Sequence, residues 1–367
     1  MLYRATGSFN RSYADELKIY QVPLPKITII VIALITFIVV PLTFNEYYIS
    51  ILNFIGVAAL GAIGLNILLG YTGQISVGHG AFMAVGAYTT AVILREFPDF
   101  PWILALIGGG FGAAVVGMFF GIPSLRIKGL YLAVSTLAAQ LIIEWGINHW
   151  PWLSGGAQGS VYVAHPTFPW MVDGELVMKP MKKNVEYFYL IFATLAVGIV
   201  FALNIFRTHL GRAFIAVRDR DMAAEIIGID VFKTKLAAFG ISSFYAGVTG
   251  ALYAFLYTIA NVEAFTLLVS IQFLAMCVIG GLGSVLGSIL GATFVVLLPI
   301  VNDLVVRGLG GAVLGWDDAT ASTILPKVNL ILFGGLIMFF LIVEPDGLAK
   351  LWRTITDYFR VWPFPYI

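Results

Sequence analysis

Residues 211–235 read GRAFIAVRDRDMAAEIIGIDVFKTK and stand between two long apolar stretches of the chain. Nine of these 25 residues are charged, although charged residues make up only 11% of the 367-residue chain. Hydrophobic residues make up 60% of the chain, against roughly 45–50% in soluble domains. A chain with so few charges cannot cover its core with a charged surface in water. We therefore predict a protein that meets lipid over most of its surface.

The apolar runs predict an all-α polytopic membrane protein with about ten transmembrane helices, because roughly 20 apolar residues of helix cross a hydrocarbon core about 30 Å thick. The predicted spans are 27–44, 49–70, 77–94, 101–122, 129–148, 187–206, 234–260, 266–282, 285–306 and 327–343. Gly-rich stretches interrupt the third, eighth and ninth spans. These stretches either turn simply or break the helices and re-enter the membrane.

Lys and Arg are distributed unequally between the two sides that ten spans define. Fifteen lie on the side that holds both termini and the charged stretch, and six lie on the other side, which together make the 21 of the chain. The positive-inside rule then places both termini in the cytoplasm. The predicted divisions are a cytoplasmic tail (1–26), a membrane domain (27–345) with an outer loop (149–186) and a charged cytoplasmic loop (207–233), and a second cytoplasmic tail (346–367).

Four tryptophans cluster around the outer loop, and two interpretations of them stay open. They are Trp145, Trp150, Trp152 and Trp170. Their rings either lie at the membrane interface, which amphipathic aromatic side chains favour, or fill a small core of the loop itself.

Enzyme motifs are missing from the sequence. No Gly-Lys dipeptide occurs, so no Walker A loop is present to bind ATP, and neither HExxH nor GxSxG is found. The single cysteine, Cys277, excludes an intrachain disulfide. The first apolar run lacks a small-residue cleavage site, so we expect it to be a retained span. The net charge of +1 gives no reason to expect nucleic-acid binding.

An ion-coupled secondary transporter is the alternative class. Coupling to protons or sodium normally needs ionisable residues at membrane depth. Glu144, Glu263 and Asp303 instead fall near the predicted outer ends of their spans. The sequence therefore favours an energy source outside this chain.

The charged stretch contains a predicted short helix. Asp221 is placed to cap its start and Gly228 to end it in the left-handed conformation. Met222 and Ile226 share one face of this helix, whereas Glu225 lies on another. Two helical turns are marginal alone in water, so we expect the helix to dock against a partner. The alternative is a solvated loop whose basic residues only set the topology.

Four motifs, in the same order, resemble branched-chain amino-acid ABC transporter permeases of the LivM type. The charged stretch followed by LAAFGISSFYAGVTGAL resembles the cytoplasmic loop and next helix of that family. The other segments are NILLGYTGQISVGHGAFMAVGAYTTA (66–91), WLSGGAQG (152–159), and AMCVIGGLGSVLGSILGA (275–292) with the tail EPDGL (344–348). The resemblance covers about residues 50 to 350.

The resemblance implies an importer subunit of the bacterial inner membrane that is not itself an enzyme. It implies pairing with a second, related permease, two ATP-binding subunits that bind ATP and Mg, and an extracytoplasmic solute-binding protein. This chain would bind no cofactor. The charged stretch becomes the loop that couples to an ATPase subunit. The implied coupling residues are Arg218, Asp219, Arg220, Asp221, Glu225 and Gly228. The implied solutes are leucine, isoleucine and valine, with urea or short amides as the alternative.

Backbone groups freed at helix breaks are suitable partners for a zwitterionic solute inside a membrane. The predicted path residues are Gly73, Gln74, Ser76, Gly78, His79, Gln272, Gly280 and Gly281. Ser76 is also placed to cap the following half-helix and so turn its positive end towards a carboxylate. The alternative for Gly283, Gly287 and Gly291 is close helix packing, and for His79 a structural role.

Two positions depart from the family pattern. Gln272 stands where an acidic residue is common, which puts a charge-based ammonium contact there in doubt. Gly287-Ser288 stands where Gly-Pro is common, and the outer segment 307–326 is longer than usual.

Overall fold

The computed structural model describes residues 30–31, 33–124, 130–154, 160–172, 175–181, 183–314, 318–344 and 346–361. Most of these residues are helical. In chain order the helices are α1 (Val40–Thr43, after a π-helical segment, Ile35–Val39), α2 (Glu46–Asn66, which continues as a π-helical segment, Ile67–Tyr71), α3 (His79–Glu96), α4 (Trp102–Ser124), α5 (Leu130–His149), α6 (Pro151–Ser154), α7 (Asn184–Arg207), α8 (His209–Asp219), α9 (Asp221–Ile226), α10 (Val231–Tyr257), α11 (Leu267–Gly280, after a 3-10 turn, Val262–Phe265), α12 (Val285–Leu314), α13 (Asp318–Val343) and α14 (Gly347–Val361).

Within the described residues, seven helical stretches are long and apolar enough to cross a membrane. They are Glu46–Tyr71, Trp102–Ser124, Asn184–Arg207, Val231–Tyr257, Val262–Gly280, Val285–Arg307 and Ser322–Val343. Each coincides with a predicted span, and the chain is therefore an α-helical polytopic membrane protein.

The other three predicted spans differ from these seven. The run 27–44 begins outside the described residues, as does the whole of the predicted tail 1–26. The runs 77–94 and 129–148 do form helices, α3 and α5. Polar residues such as His79, Arg95 and Glu96 make α3 less apolar than the seven. Helix α5 directly follows residues 125–129, which lie outside the described part of the chain. A total of about ten spans stays a prediction.

Helix α10 lies at the centre of the bundle and packs most extensively on α4, α3 and α2. Glycines allow this close approach. A Cβ atom on Gly247 of α10 would lie 2.6 Å from the Gly109 carbonyl oxygen of α4, and one on Gly109 would lie 2.7 Å from the Gly86 carbonyl oxygen of α3. Small residues at helix crossings are typical of membrane bundles, where van der Waals packing drives association.

The predicted outer loop contains short strands, so the chain is not entirely helical. The strands are β1 (Val161–Tyr162), β2 (Thr167–Val172), β3 (Glu175–Pro180) and β4 (Ile259–Ala260). β2 and β3 form an antiparallel hairpin, and β1 pairs with β4 at the end of α10. Backbone groups outside a membrane can bond between strands or to water, so the constraint that favours helices within the lipid does not act on this loop.

The two ends of the bundle gather different segments. At one end Trp102 Nε1 donates to the Thr167 carbonyl at 2.8 Å and Arg95 donates to the Trp152 carbonyl at 3.0 Å, so the predicted outer segments meet. Trp145, Trp150 and Trp152 are exposed there, which favours the interface interpretation over a loop core. The side chain of Trp170 lies outside the described residues. At the opposite end the Tyr71 ring stacks on Phe206, with centroids 3.5 Å apart.

Candidate functional site at two helix breaks

The first break separates α2 from α3. The π-helical segment Ile67–Tyr71 ends α2, and Gly73 follows with a φ of 69° that favours glycine. The chain then runs without regular structure as far as Gly78, and α3 begins at His79. The His79 ring lies near the backbone of Gly61, about nine residues back along α2 from Gly70. Nine residues of helix rise roughly 14 Å, so the segment turns back into the bundle.

The second break separates α11 from α12 and is much shorter. Gly281 and Gly283 adopt φ values of 116° and 74°, and α12 begins two residues later at Val285. A Cβ atom on Gly281 would lie 3.0 Å from the Ala349 Cβ of α14. Glycine is needed here both for its conformation and for this close approach.

Asn66 joins the two breaks. Its Oδ1 atom accepts a hydrogen bond from the Gly283 N–H at 2.9 Å. Its Nδ2 atom donates to the Ser284 carbonyl at 2.9 Å and to the Ser288 hydroxyl at 2.6 Å. Asn66 is 1% exposed, so these bonds are shielded from water. Ser288 is therefore one of the partners of Asn66.

Arg218 connects the charged stretch to the first break. Its Nη1 atom donates to the Gly70 carbonyl oxygen at 2.8 Å, which supplies a partner for a carbonyl at the end of α2. The same guanidinium lies near Gly283, since a Cβ atom there would be 3.2 Å from Nη1. Arg218 stands in the last turn of α8, whose buried Phe214 and Val217 fix that helix against the bundle. Both breaks and the charged stretch therefore meet at one point.

The predicted charged loop is largely helical, formed by α8 and α9. Asp221 is the first residue of α9 rather than its N-cap, which is Arg220, and the Asp221 carboxylate forms an ion pair with Lys235 of α10. Gly228 adopts a φ of 88° just after α9, as predicted. Asp230 caps α10 by accepting a hydrogen bond from the Lys233 N–H at 3.0 Å, and that bond lowers the pKa of this carboxyl.

Helix α9 presents large apolar side chains to solvent. Met222 is 75% exposed, Ile226 is 85% exposed and the adjacent Ile227 is 73% exposed. Only Ala224 of this helix is buried. We call Met222, Ile226 and Ile227 the α9 patch. The predicted coupling residues Asp219, Arg220 and Glu225 are exposed around it. An apolar patch with a charged rim is typical of an interaction site.

The predicted path residues of the first break are mostly covered within this chain. Gln74, Ser76 and His79 are each 2% exposed or less, and Gly78 is also buried. The Gln74 Oε1 and His79 Nε2 atoms are buried without a hydrogen-bond partner. Gly73 lies against Arg218 at the edge of this segment.

The start of α3 is capped differently from our prediction. Its N-cap is Gly78, and the Ser76 hydroxyl accepts only a 3.4 Å hydrogen bond from the Gly78 N–H. The Gly80 N–H instead donates to the Ser270 hydroxyl at 2.7 Å, and the Ala81 N–H donates to Gln140 Oε1 at 2.7 Å. In this structure the amide groups that we expected to face a carboxylate are therefore bonded to side chains of α11 and α5.

The second group of predicted path residues lies on α11 and in its break. Gln272 is half-buried on α11. A Cβ atom on Gly287 would lie 2.6 Å from the Gly280 carbonyl oxygen, and one on Gly291 would lie 2.9 Å from the Gly280 Cα atom. Close packing therefore explains Gly287 and Gly291, as the alternative predicted, and the backbone on which they pack is that of Gly280, one of the predicted path residues. Gly283 is instead a turn residue whose amide bonds Asn66.

Three polar residues of this site were missed by the sequence analysis: Asn66, Gln140 and Ser270. Each is 1% exposed or less and lies inside an apolar run. A polar side chain within a membrane span is expected to bond other groups of the protein, and this is the signal that points to them.

The fold and the site together define a class. An α-helical bundle with helices suited to cross a membrane, broken helices that meet inside it and an exposed polar segment beside those breaks are features of a membrane transport protein. Among the described residues, no group of three or more His, Cys, Asp or Glu side chains is placed to hold a metal ion.

Residues 47–341 match the family model described as branched-chain amino acid transport system / permease component. The chain belongs to this family. It is 29% identical over 306 residues to the high-affinity branched-chain amino acid transport system permease protein LivM of Escherichia coli, which covers 79% of this chain and 67% of that protein.

Two other relatives show the breadth of this similarity. The probable branched-chain amino acid transport permease protein LivH of Methanocaldococcus jannaschii is 26% identical over 242 residues, covering 63% of this chain and 72% of that protein. The galactofuranose transporter permease protein YtfT of Escherichia coli is 26% identical over 304 residues, covering 83% of this chain and 81% of that protein. No solved structure matches the chain.

Proposed function

We propose that this chain is a permease subunit of an ATP-driven importer that moves branched-chain amino acids inward across the bacterial inner membrane. About ten spans cross the membrane in this proposal, with both termini and the charged stretch in the cytoplasm. Similarity to permeases named for branched-chain amino acid transport supports the solute. Similarity to a galactofuranose permease means that the family alone does not fix the solute, so urea and short amides are tested as alternatives.

The partners follow from the same relationship. Similarity to both LivM and LivH supports pairing with a second, related permease. Two ATP-binding subunits supply the energy and bind ATP and Mg, and an extracytoplasmic protein delivers the solute. This chain itself binds no cofactor and catalyses no reaction.

The observation that carries the proposal is the exposed α9 patch on a segment bonded to the first helix break. Met222, Ile226 and Ile227 would dock in a cleft of an ATP-binding subunit, with Asp219 and Glu225 at the rim. A displacement of this segment would reach the first break through the bond between Arg218 and the Gly70 carbonyl. The contact thus offers a short physical connection between ATP hydrolysis and the proposed path.

In this proposal the solute path runs past the segment Gly73–Gly78, which is mostly buried in this structure and moves to open the path. Gln74 and His79 each have a buried polar atom without a partner, which a passing zwitterion could bond. Gln272 would lie farther along the path on α11. Tight binding is not expected here, since a solute that must leave again needs weak sites.

The test is transport by the assembled complex in proteoliposomes. We expect ATP-dependent uptake of leucine only when this chain, the second permease, the ATP-binding subunits and the binding protein are all present. Uptake driven by a proton or sodium gradient with this chain alone would contradict the proposal and favour a secondary transporter. Uptake of urea in place of leucine would keep the importer and replace the solute.

Ile226→Asp tests the docking step within that complex. The side chain is 85% exposed, so the change leaves the fold intact, but it introduces a charge into an apolar contact and we expect at least a tenfold fall in solute-stimulated ATP hydrolysis. Thr208→Asp is the matched control, because it adds the same charge at an exposed helix N-cap where Asp is favoured. Equal activity of the two variants would exclude the α9 patch as the docking site.

A further inference from the structure

Helix α14 has an apolar face and a polar face along its described side chains. Leu351, Trp352, Ile355 and Tyr358 recur at three- and four-residue spacing and so share one side of the helix. The opposite side carries Lys350, Arg353, Thr354 and Asp357. Such a helix is stable when its apolar face is covered, because two to four turns alone are marginal in water.

The rest of the described chain does not cover this apolar face. Leu351, Trp352, Ile355 and Tyr358 are between 46% and 57% exposed. Contacts with the bundle are made by the first turn of α14, where Ala349 is 4% exposed and lies against Gly281. The helix is therefore attached at its start and presents its apolar face beyond that attachment.

The attachment places α14 at one boundary of the membrane. Three residues separate the end of the span Ser322–Val343 from Gly347, where the helix begins. Lys350 forms an ion pair with Glu344 at 3.2 Å, which holds the first turn beside the end of that span. Arg353 lies within electrostatic range of Tyr71, the last residue of another span.

The surface that leads to α14 is a lipid-facing one. At the end of α13, Leu341, Ile342 and Val343 are 54%, 80% and 56% exposed, as expected for side chains in contact with hydrocarbon. The apolar face of α14 follows this surface closely along the chain, because α14 begins soon after Val343. Trp and Tyr side chains favour the level of the headgroups, since their rings are apolar and their polar atoms reach water.

We propose that α14 lies in the plane of the bilayer surface, on the side of the charged stretch, with Leu351, Trp352, Ile355 and Tyr358 inserted among the lipids. Arg353, on the polar face, then lies in the water layer next to the headgroups, where anionic phospholipids attract its charge. The helix also supports the second break, because its first turn packs on Gly281. This inference depends on the membrane location of the chain and not on which solute or energy source it uses.

Spin-label accessibility on the full chain tests the proposal. Cys277 is the one cysteine of the chain and is replaced by alanine. If that variant does not fold, Cys277 is kept, because it is completely buried and surface-reactive labels do not reach it. Labels are placed by Trp352→Cys and Ile355→Cys on the apolar face, and by the matched Thr354→Cys and Asp357→Cys on the polar face. The chain is reconstituted in vesicles of phosphatidylethanolamine and phosphatidylglycerol.

We expect the apolar-face labels to be relaxed more by oxygen, which concentrates in lipid, and the polar-face labels more by a water-soluble nickel chelate. Equal nickel accessibility at all four positions would overturn the proposal, because the helix would then lie in water. The proposal would also be overturned if the labels at positions 352 and 355 became shielded from the nickel chelate only after ATP-binding subunits are added. That result would favour a protein partner.

A second variant tests whether the apolar face holds the helix in place. A label at Leu351→Cys is measured in the presence of Ile355→Asp, which adds a charge to the inserted face, and in the presence of the control Thr354→Asp. We expect the first change to increase nickel accessibility severalfold and the control to leave it unchanged. Identical accessibility in the two variants would contradict insertion.

Discussion

The two helix breaks meet at one point but are built in different ways. The first leaves six residues, Gly73–Gly78, without regular structure, and the helix that follows is capped by side chains of two other helices. The second closes within Gly281–Ser284, and one residue, Asn66, bonds its backbone. A short turn bonded by one buried amide has little freedom. A longer segment whose bonds come from separate helices can move when those helices move, so we expect the second break to be fixed and the first to be the moving one.

Asn66→Ala should give the largest effect, because it removes the support of the fixed break. The substitution leaves the Gly283 N–H and the Ser284 carbonyl without these partners, and each unsatisfied buried group costs about 1–3 kcal/mol. We expect a large fall in the midpoint of thermal unfolding in detergent, together with low accumulation in membranes.

Asn53→Ala is the matched control for that change. Asn53 is an equally buried asparagine on the same helix, but its one hydrogen bond goes to the Asn184 carbonyl at 2.9 Å, away from both breaks. We expect a loss of about 1 kcal/mol from this variant. A loss as large as that of Asn66→Ala would show that Asn66 has no special role in joining the breaks.

Gly281→Ala and Gly73→Ala compare the two breaks directly. The φ of 116° at Gly281 is rare for any other residue, and the added Cβ would approach the Ala349 side chain, so we expect a cost of roughly 2–4 kcal/mol. The φ of 69° at Gly73 costs alanine only about 1–2 kcal/mol, and the nearest atom is the flexible Arg218 Cγ at 3.2 Å.

Substituting asparagine for the same two glycines distinguishes the cost of the backbone conformation from the cost of a steric clash. Asparagine tolerates the left-handed region, so Gly73→Asn should recover much of the stability that Gly73→Ala loses. Gly281→Asn should not recover the stability that Gly281→Ala loses, because its side chain still meets Ala349. Thermal unfolding midpoints check both pairs. Equal recovery at the two positions would remove the distinction between a tolerant first break and a fixed second one.

The sequence located both breaks but not the bonds that hold them. Apolar runs and glycines are local features, so they predicted the seven membrane-crossing helices and the interruptions near Gly73 and Gly281. The bond between Asn66 and Gly283 joins residues 217 positions apart, and only the packed fold brings them together. For the same reason Ser76 was the local choice to cap α3, whereas the bonds come from Ser270 and Gln140.

In the charged stretch, too, local patterns predicted the elements but not the contacts between distant residues. Its short helix and the left-handed Gly228 follow from local patterns, and both are found. Asp221 was predicted to cap that helix but instead pairs with Lys235, because α10 returns beside it. The contact of Arg218 with Gly70 likewise joins two segments that no local pattern relates.

Arg218→Gln should have the smallest effect on stability and the most specific effect on coupling. The lost bond ends at the first break, which we expect to be the moving one, and a partly exposed hydrogen bond is worth about 1 kcal/mol. The unfolding midpoint should therefore shift only slightly. Transport per ATP hydrolysed should nevertheless fall severalfold in the reconstituted complex, since the charged stretch would no longer hold the Gly70 carbonyl. Arg220→Gln is the control, because it removes the same charge from an exposed neighbour at the N-cap of α9. If both variants lose coupling equally, the charge of the stretch matters rather than the bond, and the first break loses its proposed connection to the ATPase.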